Sequence, residues 1–184
     1  MYKKKFIVEK SQLEGTVKVS GAKNSVLRLL AASILFDENI ELLNYPSSLL
    51  DVKVHEEMLR YLGKSIEIDG ERALISQDKP LETNLKWHDR SIRNTLLILG
   101  ASVAKYGYGR VPLPGGCKLG ERKYDIHVSV LESLGAKVYE DGDYLVAESN
   151  GRLKGTNITL RMRSTGATEN AILAGCLAEG VTNI

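Results

Sequence analysis

The sequence predicts an α/β fold assembled from a repeated helix–strand–helix–strand–strand unit. Two observations predict it. The stretch "DVKVHEEMLRYLGKSIEIDGERALI", from Asp51, matches "DIHVSVLESLGAKVYEDGDYLVA", from Asp125, and the two copies lie ~72 residues apart. Ahead of each copy runs an apolar helical stretch, "SGAKNSVLRLLAASILFDEN" from Ser20 and "RSIRNTLLILGASVAKYG" from Arg90; a third, "RSTGATENAILAGCLAEG" from Arg163, opens a further unit.

Each element follows from local chemistry. Ser20 is placed to cap a helix whose first turn holds Lys23 and Asn24, and "IELLN" from Ile40 reads as the strand after it. Asp51 suits an N-cap, with Val52, His55, Met58, Leu59 and Leu62 at helical spacing behind it. Gly63 suits the left-handed position that ends a helix, and Asp69-Gly70 joins two short strands into a hairpin. The second unit repeats the scheme. Ser91 caps an apolar helix, "GRVPL" from Gly109 is the strand, and Asp125 caps a helix carrying Ile126, Val130, Leu131 and Leu134. Gly135 ends it and Asp141-Gly142 makes the hairpin turn. "NITLRM", from Asn157, links by a strand to the third apolar helix, and "VTNI", from Val181, is the strand behind it. A third unit lacking its second helix and hairpin leaves a sheet edge and apolar surface uncovered. The expectation is a fragment, or a chain that a partner completes.

Composition narrows the function classes. The apolar and charged fractions, 43% and 26%, are those of an ordinary globular protein, and 184 residues suffice for a sizeable core. A net charge of +2 gives no argument for nucleic acid or membrane binding, although a basic pocket for an anionic ligand remains open. Lys3 to Lys5 resemble the cationic start of a signal peptide, but only Phe6, Ile7 and Val8 follow as an apolar run. The two cysteines and three histidines fall into no metal-ligand spacing. No metal or cofactor is expected, and the thiols read as free in a cytoplasmic protein.

The candidate chemistry begins at Cys117, in "LPGGCKLGER". Prolines and glycines make this stretch a surface loop, and Lys118, Arg122 and Lys123 follow the thiol closely. Nearby cations favour a thiolate, which is a nucleophile or a tunable acid; the other reading is an incidental surface cysteine. Cys176 sits among apolar residues of the third helix and reads as core. His55 and His127 occupy matching places in the two copies, so both read as structural, each contacting a carboxylate or carbonyl; His88 reads as a connector. Lys23, Arg93 and Arg163 stand at or near three equivalent helix starts, whose free N–H groups and dipoles favour anions. Repeats arranged around an axis would bring these starts onto one phosphate-rich ligand. Neither a P-loop nor a dinucleotide fingerprint occurs.

"SGAKNS", "RSIRNTLLILG", "LPGGCKLGERKYDIH", "LESLGAKV", "GRLKGTNITL" and "STGAT" occur in this order over essentially the whole chain. In this the sequence resembles the enolpyruvyl transferases of the UDP-N-acetylglucosamine 1-carboxyvinyltransferase type. The resemblance implies an inside-out α/β barrel lobe of three repeated units, here with the third unit truncated. It implies a boundary near residue 21: residues 1–21 would be N-terminal strands and a crossover to a missing second, C-terminal lobe. Residues 22–184 would be an incomplete first lobe, in units of about 22–85, 86–150 and 151–184.

The implied reaction transfers the enolpyruvyl group of phosphoenolpyruvate to the 3-hydroxyl of UDP-N-acetylglucosamine, a cytoplasmic step of peptidoglycan synthesis. The implied roles follow the matching motifs. Cys117 would be general acid and site of a covalent adduct. Lys23, Asn24 and Arg122 would bind phosphoenolpyruvate. Arg93, Arg122, Lys123, Tyr124, Asp125, Ile126, Met162, Arg163, Ser164 and Thr165 would bind the UDP-sugar. Without the second lobe the chain would not turn over alone. Arg28, five residues after Lys23, is similar to the pattern of the sister enzyme that makes enolpyruvylshikimate phosphate, and Met162 stands where a lysine is usual. The alternatives are therefore a nucleotide-sugar-binding half, or a diverged transferase acting on another nucleoside or on shikimate 3-phosphate.

Overall fold

The computed structural model describes residues 5–77, 79–90, 92–114 and 124–184. Five α-helices and two three-stranded sheets carry the described fold, in the order α1 (Lys23–Ala32), β1 (Ile40–Leu43), α2 (Leu50–Leu62), β2 (Ser65–Asp69), β3 (Arg72–Ser76), α3 (Thr95–Tyr106), β4 (Tyr108–Pro112), α4 (Asp125–Ser133), β5 (Lys137–Asp141), β6 (Tyr144–Glu148) and α5 (Thr165–Gly175). The sheets have the same antiparallel topology, β1-β3-β2 and β4-β6-β5. The repeat read from the sequence is thus a repeat of structure.

Matching turns fix matching registers. Asp69 pairs with Arg72 and Asp141 with Tyr144, leaving two residues to turn each hairpin. Gly70 and Gly142 take the first turn position at φ 56° and 58°, where a type II′ turn needs glycine. Gly63 ends α2 in the left-handed region, and Gly135 follows the end of α4 in the same region.

The core forms around α3. Every residue from Thr95 to Ala104 is buried, so this helix is apolar all round and packs against α1, α5 and the second sheet. Leu30, Met58, Leu62, Leu96, Leu99, Leu131 and Leu134 are almost wholly shielded. Each such side chain contributes about 1.5–3 kcal/mol relative to exposure. The short 3₁₀ turn that extends α1, Ser33–Leu35, ends under two ammonium groups. Lys105 Nζ donates to Leu35 O at 3.2 Å and Lys64 Nζ to Phe36 O at 2.9 Å, where cations suit the negative end of a helix. Burial holds the Lys64 pKa below its usual value.

Several local expectations are corrected. Asp51 and Asp125 do not cap their helices. The Leu49 carbonyl accepts from Val52 and Lys53, and the Tyr124 carbonyl from Val128, so both aspartates fall inside the first turn. Ser20 is not a cap either: α1 starts at Lys23 behind Ala22, and the Ser20 hydroxyl bonds to Gly21 O. Helix α5 does begin on a capping serine, with Ser164 Oγ accepting from Ala167 N at 3.3 Å. "NITLRM" and "VTNI" are joined by one isolated parallel bridge, Asn157 to Asn183, in place of strands. Cys176 is exposed, not core. It lies four residues beyond exposed Ile172, on the face opposite the buried stripe of Ala167, Ala171 and Ala174. Residues 5–20 form no helix or strand and are exposed throughout, including Phe6, Ile7, Val8 and Leu13.

Candidate functional site at the helix starts

Repetition of the unit aims the starts of all five helices at one place. A cavity of about 380 Å³ is lined by Lys23 and Asn24 of α1, Asp51 of α2, Arg93 and Asn94 at the start of α3, His127 of α4, and Thr165 and Gly166 of α5. Unsatisfied N–H groups and positive dipole ends gather at such a point, which suits an anion. The convergence expected of the three cationic helix starts is found for Lys23 and Arg93, while Arg163 lies beside a second cavity.

Carboxylates already face the cations. Asp51 Oδ2 lies 3.0 Å from Lys23 Nζ, and its Oδ1 lies 3.4 Å from Arg90 Nη2. Arg28 Nε and Glu169 Oε2 lie 2.8 Å apart as an ion pair whose alignment is not that of a hydrogen bond. Sequence reasoning missed Asp51 and Glu169 as site residues. Asp51 was hidden by its resemblance to a cap, and Glu169 carries no local pattern.

Two buried imidazoles support this floor. Asn94 Nδ2 donates to Leu27 O and meets His55 Nδ1, each at 2.9 Å. The amide donor leaves Nδ1 as acceptor and puts the His55 proton on Nε2. Burial holds the His55 pKa down to about 3. His127 packs against α5 so closely that a Cβ on Gly166 would lie 3.3 Å from its Cε1 and Nε2. Burial first, then the Arg93 guanidinium, pushes the His127 pKa down to about 4. Both histidines are buried, but the expected carboxylate or carbonyl contact is not found among the described residues: Asn94 meets His55, and His127, which lines the cavity, has no partner for Nδ1.

The second cavity, about 630 Å³, runs along Ile158, Leu160, Met162, Arg163, Ser164 and Thr165. Met162 and Arg163 are exposed here, ahead of the Ser164 cap. Tyr124, Asp125 and Ile126 stand at the start of α4 and line neither cavity. The Tyr124 hydroxyl donates to Glu140, which pushes its pKa up to about 12, and Asp125 pairs with Arg161. Cys117, Arg122 and Lys123 lie outside the described residues. Among the described residues no cluster of His, Cys, Asp or Glu could hold a metal ion, and no helix is long and apolar enough to cross a membrane.

The comparisons with known proteins agree with the motifs. The chain is 40% identical over 183 residues to UDP-N-acetylglucosamine 1-carboxyvinyltransferase of Acinetobacter guillouiae, covering 98% of this chain and 43% of that protein. It is 42% identical over 179 residues to the enzyme of the same name from Acinetobacter baylyi, covering 94% of this chain and 41% of that one. The chain therefore spans about two-fifths of the length of these relatives. The enolpyruvyl transferase NikO from Streptomyces tendae superimposes with a TM-score of 0.74 at 21% identity, over 92% of this chain and 40% of NikO, and so shares the fold. The family model described as EPSP synthase (3-phosphoshikimate 1-carboxyvinyltransferase) matches residues 7–184. With nearly the whole chain matched by one model, its motifs in order and its fold shared with an enolpyruvyl transferase, the protein belongs to the EPSP synthase family.

Proposed function

We propose that this chain is the first lobe of an enzyme that transfers the enolpyruvyl group of phosphoenolpyruvate to the 3-hydroxyl of UDP-N-acetylglucosamine. The observation that carries the reading is the meeting of five helix starts and the cations Lys23, Arg28 and Arg93 in one cavity. The names of the relatives at about 40% identity support the choice of substrates. The lobe would be an inside-out α/β barrel, with the remainder of its third unit, and the second lobe, supplied by the rest of such a protein. Residues 1–21 would cross to that second lobe, consistent with the exposure of Phe6, Ile7 and Val8. The chain alone would bind without turning over.

The chemistry is addition followed by elimination. The sugar hydroxyl attacks C2 of phosphoenolpyruvate, C3 takes a proton, and a tetrahedral intermediate forms; C3 then loses a proton and phosphate departs. Lys23, Asn24 and the dipole ends of α1, α3 and α5 would hold the phosphate and offset its charge as it leaves. The diphosphate would lie along Met162 to Thr165, at the α5 start. Cys117 would donate the proton and could carry a covalent pyruvate adduct, Arg122 would bind both substrates, and Lys123 would bind the UDP-sugar. The step belongs to cytoplasmic peptidoglycan and cell-wall synthesis, and so to cell shape, division and the cell cycle.

Phosphate release tests the reading. Protein expressed from the full reading frame should release phosphate from phosphoenolpyruvate when UDP-N-acetylglucosamine is present and yield a product heavier by one carboxyvinyl group. Release with shikimate 3-phosphate or a nucleoside monophosphate alone would favour the alternatives.

A further inference from the structure

We propose that Glu169, held by Arg28, is a specificity-determining residue that favours an acceptor presenting a neutral, hydroxyl-bearing sugar at this wall over one presenting a carboxylate there. The inference rests on the reading that a nucleotide sugar spans the two cavities. Glu169 and Thr165, four residues apart on one face of α5, line both the 380 Å³ and the 630 Å³ cavity. They form the shared wall, and the sugar would pass along it between the diphosphate and phosphoenolpyruvate.

The pair itself is poorly explained as a stabilising bridge. Its side chains are only 28% and 24% exposed, and the facing atoms, Arg28 Nε and Glu169 Oε2, are shut off from solvent. They stand 2.8 Å apart without hydrogen-bond alignment, and neither has another hydrogen-bond partner among the described residues. Charges desolvated this way recover little of the cost unless geometry is good. In the cavity wall the same arrangement has a clear effect. Arg28 alone would add a cation beside Lys23 and attract an acceptor's carboxylate. Glu169 cancels that charge, repels a carboxylate, and keeps Oε1 to accept a hydrogen bond from a sugar O–H. Selection then acts by attraction of one acceptor and repulsion of the other.

The test compares two ligands on protein from the full reading frame, by calorimetric titration of wild type and Glu169→Gln. Gln keeps an acceptor oxygen but no charge, so UDP-N-acetylglucosamine should bind severalfold more weakly to E169Q, while UDP, which lacks the sugar, binds equally to both proteins. Competition by shikimate 3-phosphate should strengthen in E169Q as Arg28 loses its counter-charge. Equal loss for both ligands marks a merely structural residue and overturns the proposal, as does no loss for either. Failure of wild type to bind UDP-N-acetylglucosamine overturns the underlying reading and is visible before any variant is made. Should E169Q not fold, Glu169→Ala, which removes both the charge and the acceptor oxygen, gives the same comparison.

Discussion

Lys23 and Asp51 are ion-paired at 3.0 Å in the wall of the central cavity, and the second oxygen of Asp51 faces Arg90 at 3.4 Å. One carboxylate thus occupies two cations, in the place where an anionic ligand would need them. A phosphate bound as proposed would compete with Asp51 for Lys23.

Removing the carboxylate charge should therefore help an anion. Asp51→Asn is expected to raise affinity for inorganic phosphate about two- to fivefold, since partly exposed pairs contribute about 0.2–1 kcal/mol. The gain should shrink as salt rises from 0.05 to about 0.5 M, because these charges are screened. Titration at both salts checks it. Unchanged or weaker binding would mean that Asp51 does not compete for Lys23.

The buried imidazoles set a pH dependence of stability. Folding lowers the pKa of His127 to about 4 and of His55 to about 3, from 6.5. Between these values the unfolded chain binds more protons than the folded one, so stability rises with pH. The contribution is complete above pH 6.5 and is lost as pH falls through about 4 and then 3. Each unit of depression corresponds to about 1.4 kcal/mol. Urea unfolding from pH 7 to 4 should show the loss, and a His55→Gln/His127→Gln protein should show a flatter profile than wild type. Parallel profiles would contradict the assignment.

Close packing of α3 on α5 gives a third outcome. Asn170 is fully buried, and a Cβ on Gly100 would fall 1.9 Å from its Oδ1. Gly100→Ala should cost about 1–3 kcal/mol through overpacking. Adding Asn170→Ala should recover much of that loss, a non-additivity that a denaturant double-mutant cycle measures. Additive losses would place the strain elsewhere.

Ser164 is the one helix-start serine whose side chain caps a described helix. Ser164→Ala should destabilise by about 1 kcal/mol. Chemical denaturation reads this directly, with Ser20→Ala as a near-neutral control because Ser20 bonds only to Gly21 O.

The sequence was most legible where one residue type meets one backbone requirement. Gly63, Gly70, Gly135 and Gly142 stand in the left-handed region at the predicted places, and the 72-residue repeat becomes two sheets of equal topology. Caps were less legible. The extra turn formed by Ser47 to Leu49 moves Asp51 inward, and one sequence pattern suits both an N-cap and a first-turn aspartate. Cys176 shows the limit of composition: its neighbours are apolar, but the angular position of a residue at the end of α5 decides its exposure. Long-range pairs were invisible. Nothing local in "NSVLR" or "TENA" announces that Arg28 meets Glu169, since the contact depends on how α1 and α5 converge.

The central claim is that these helix starts form one site for a nucleotide sugar beside phosphoenolpyruvate. Hydrogen–deuterium exchange of the protein from its full reading frame, with and without UDP-N-acetylglucosamine, tests it most directly. The account predicts slowed exchange at the starts of α1, α3 and α5, near residues 23–28, 92–97 and 162–168, with little change in the two hairpins. Protection confined to other segments, or none at saturating ligand, would contradict it.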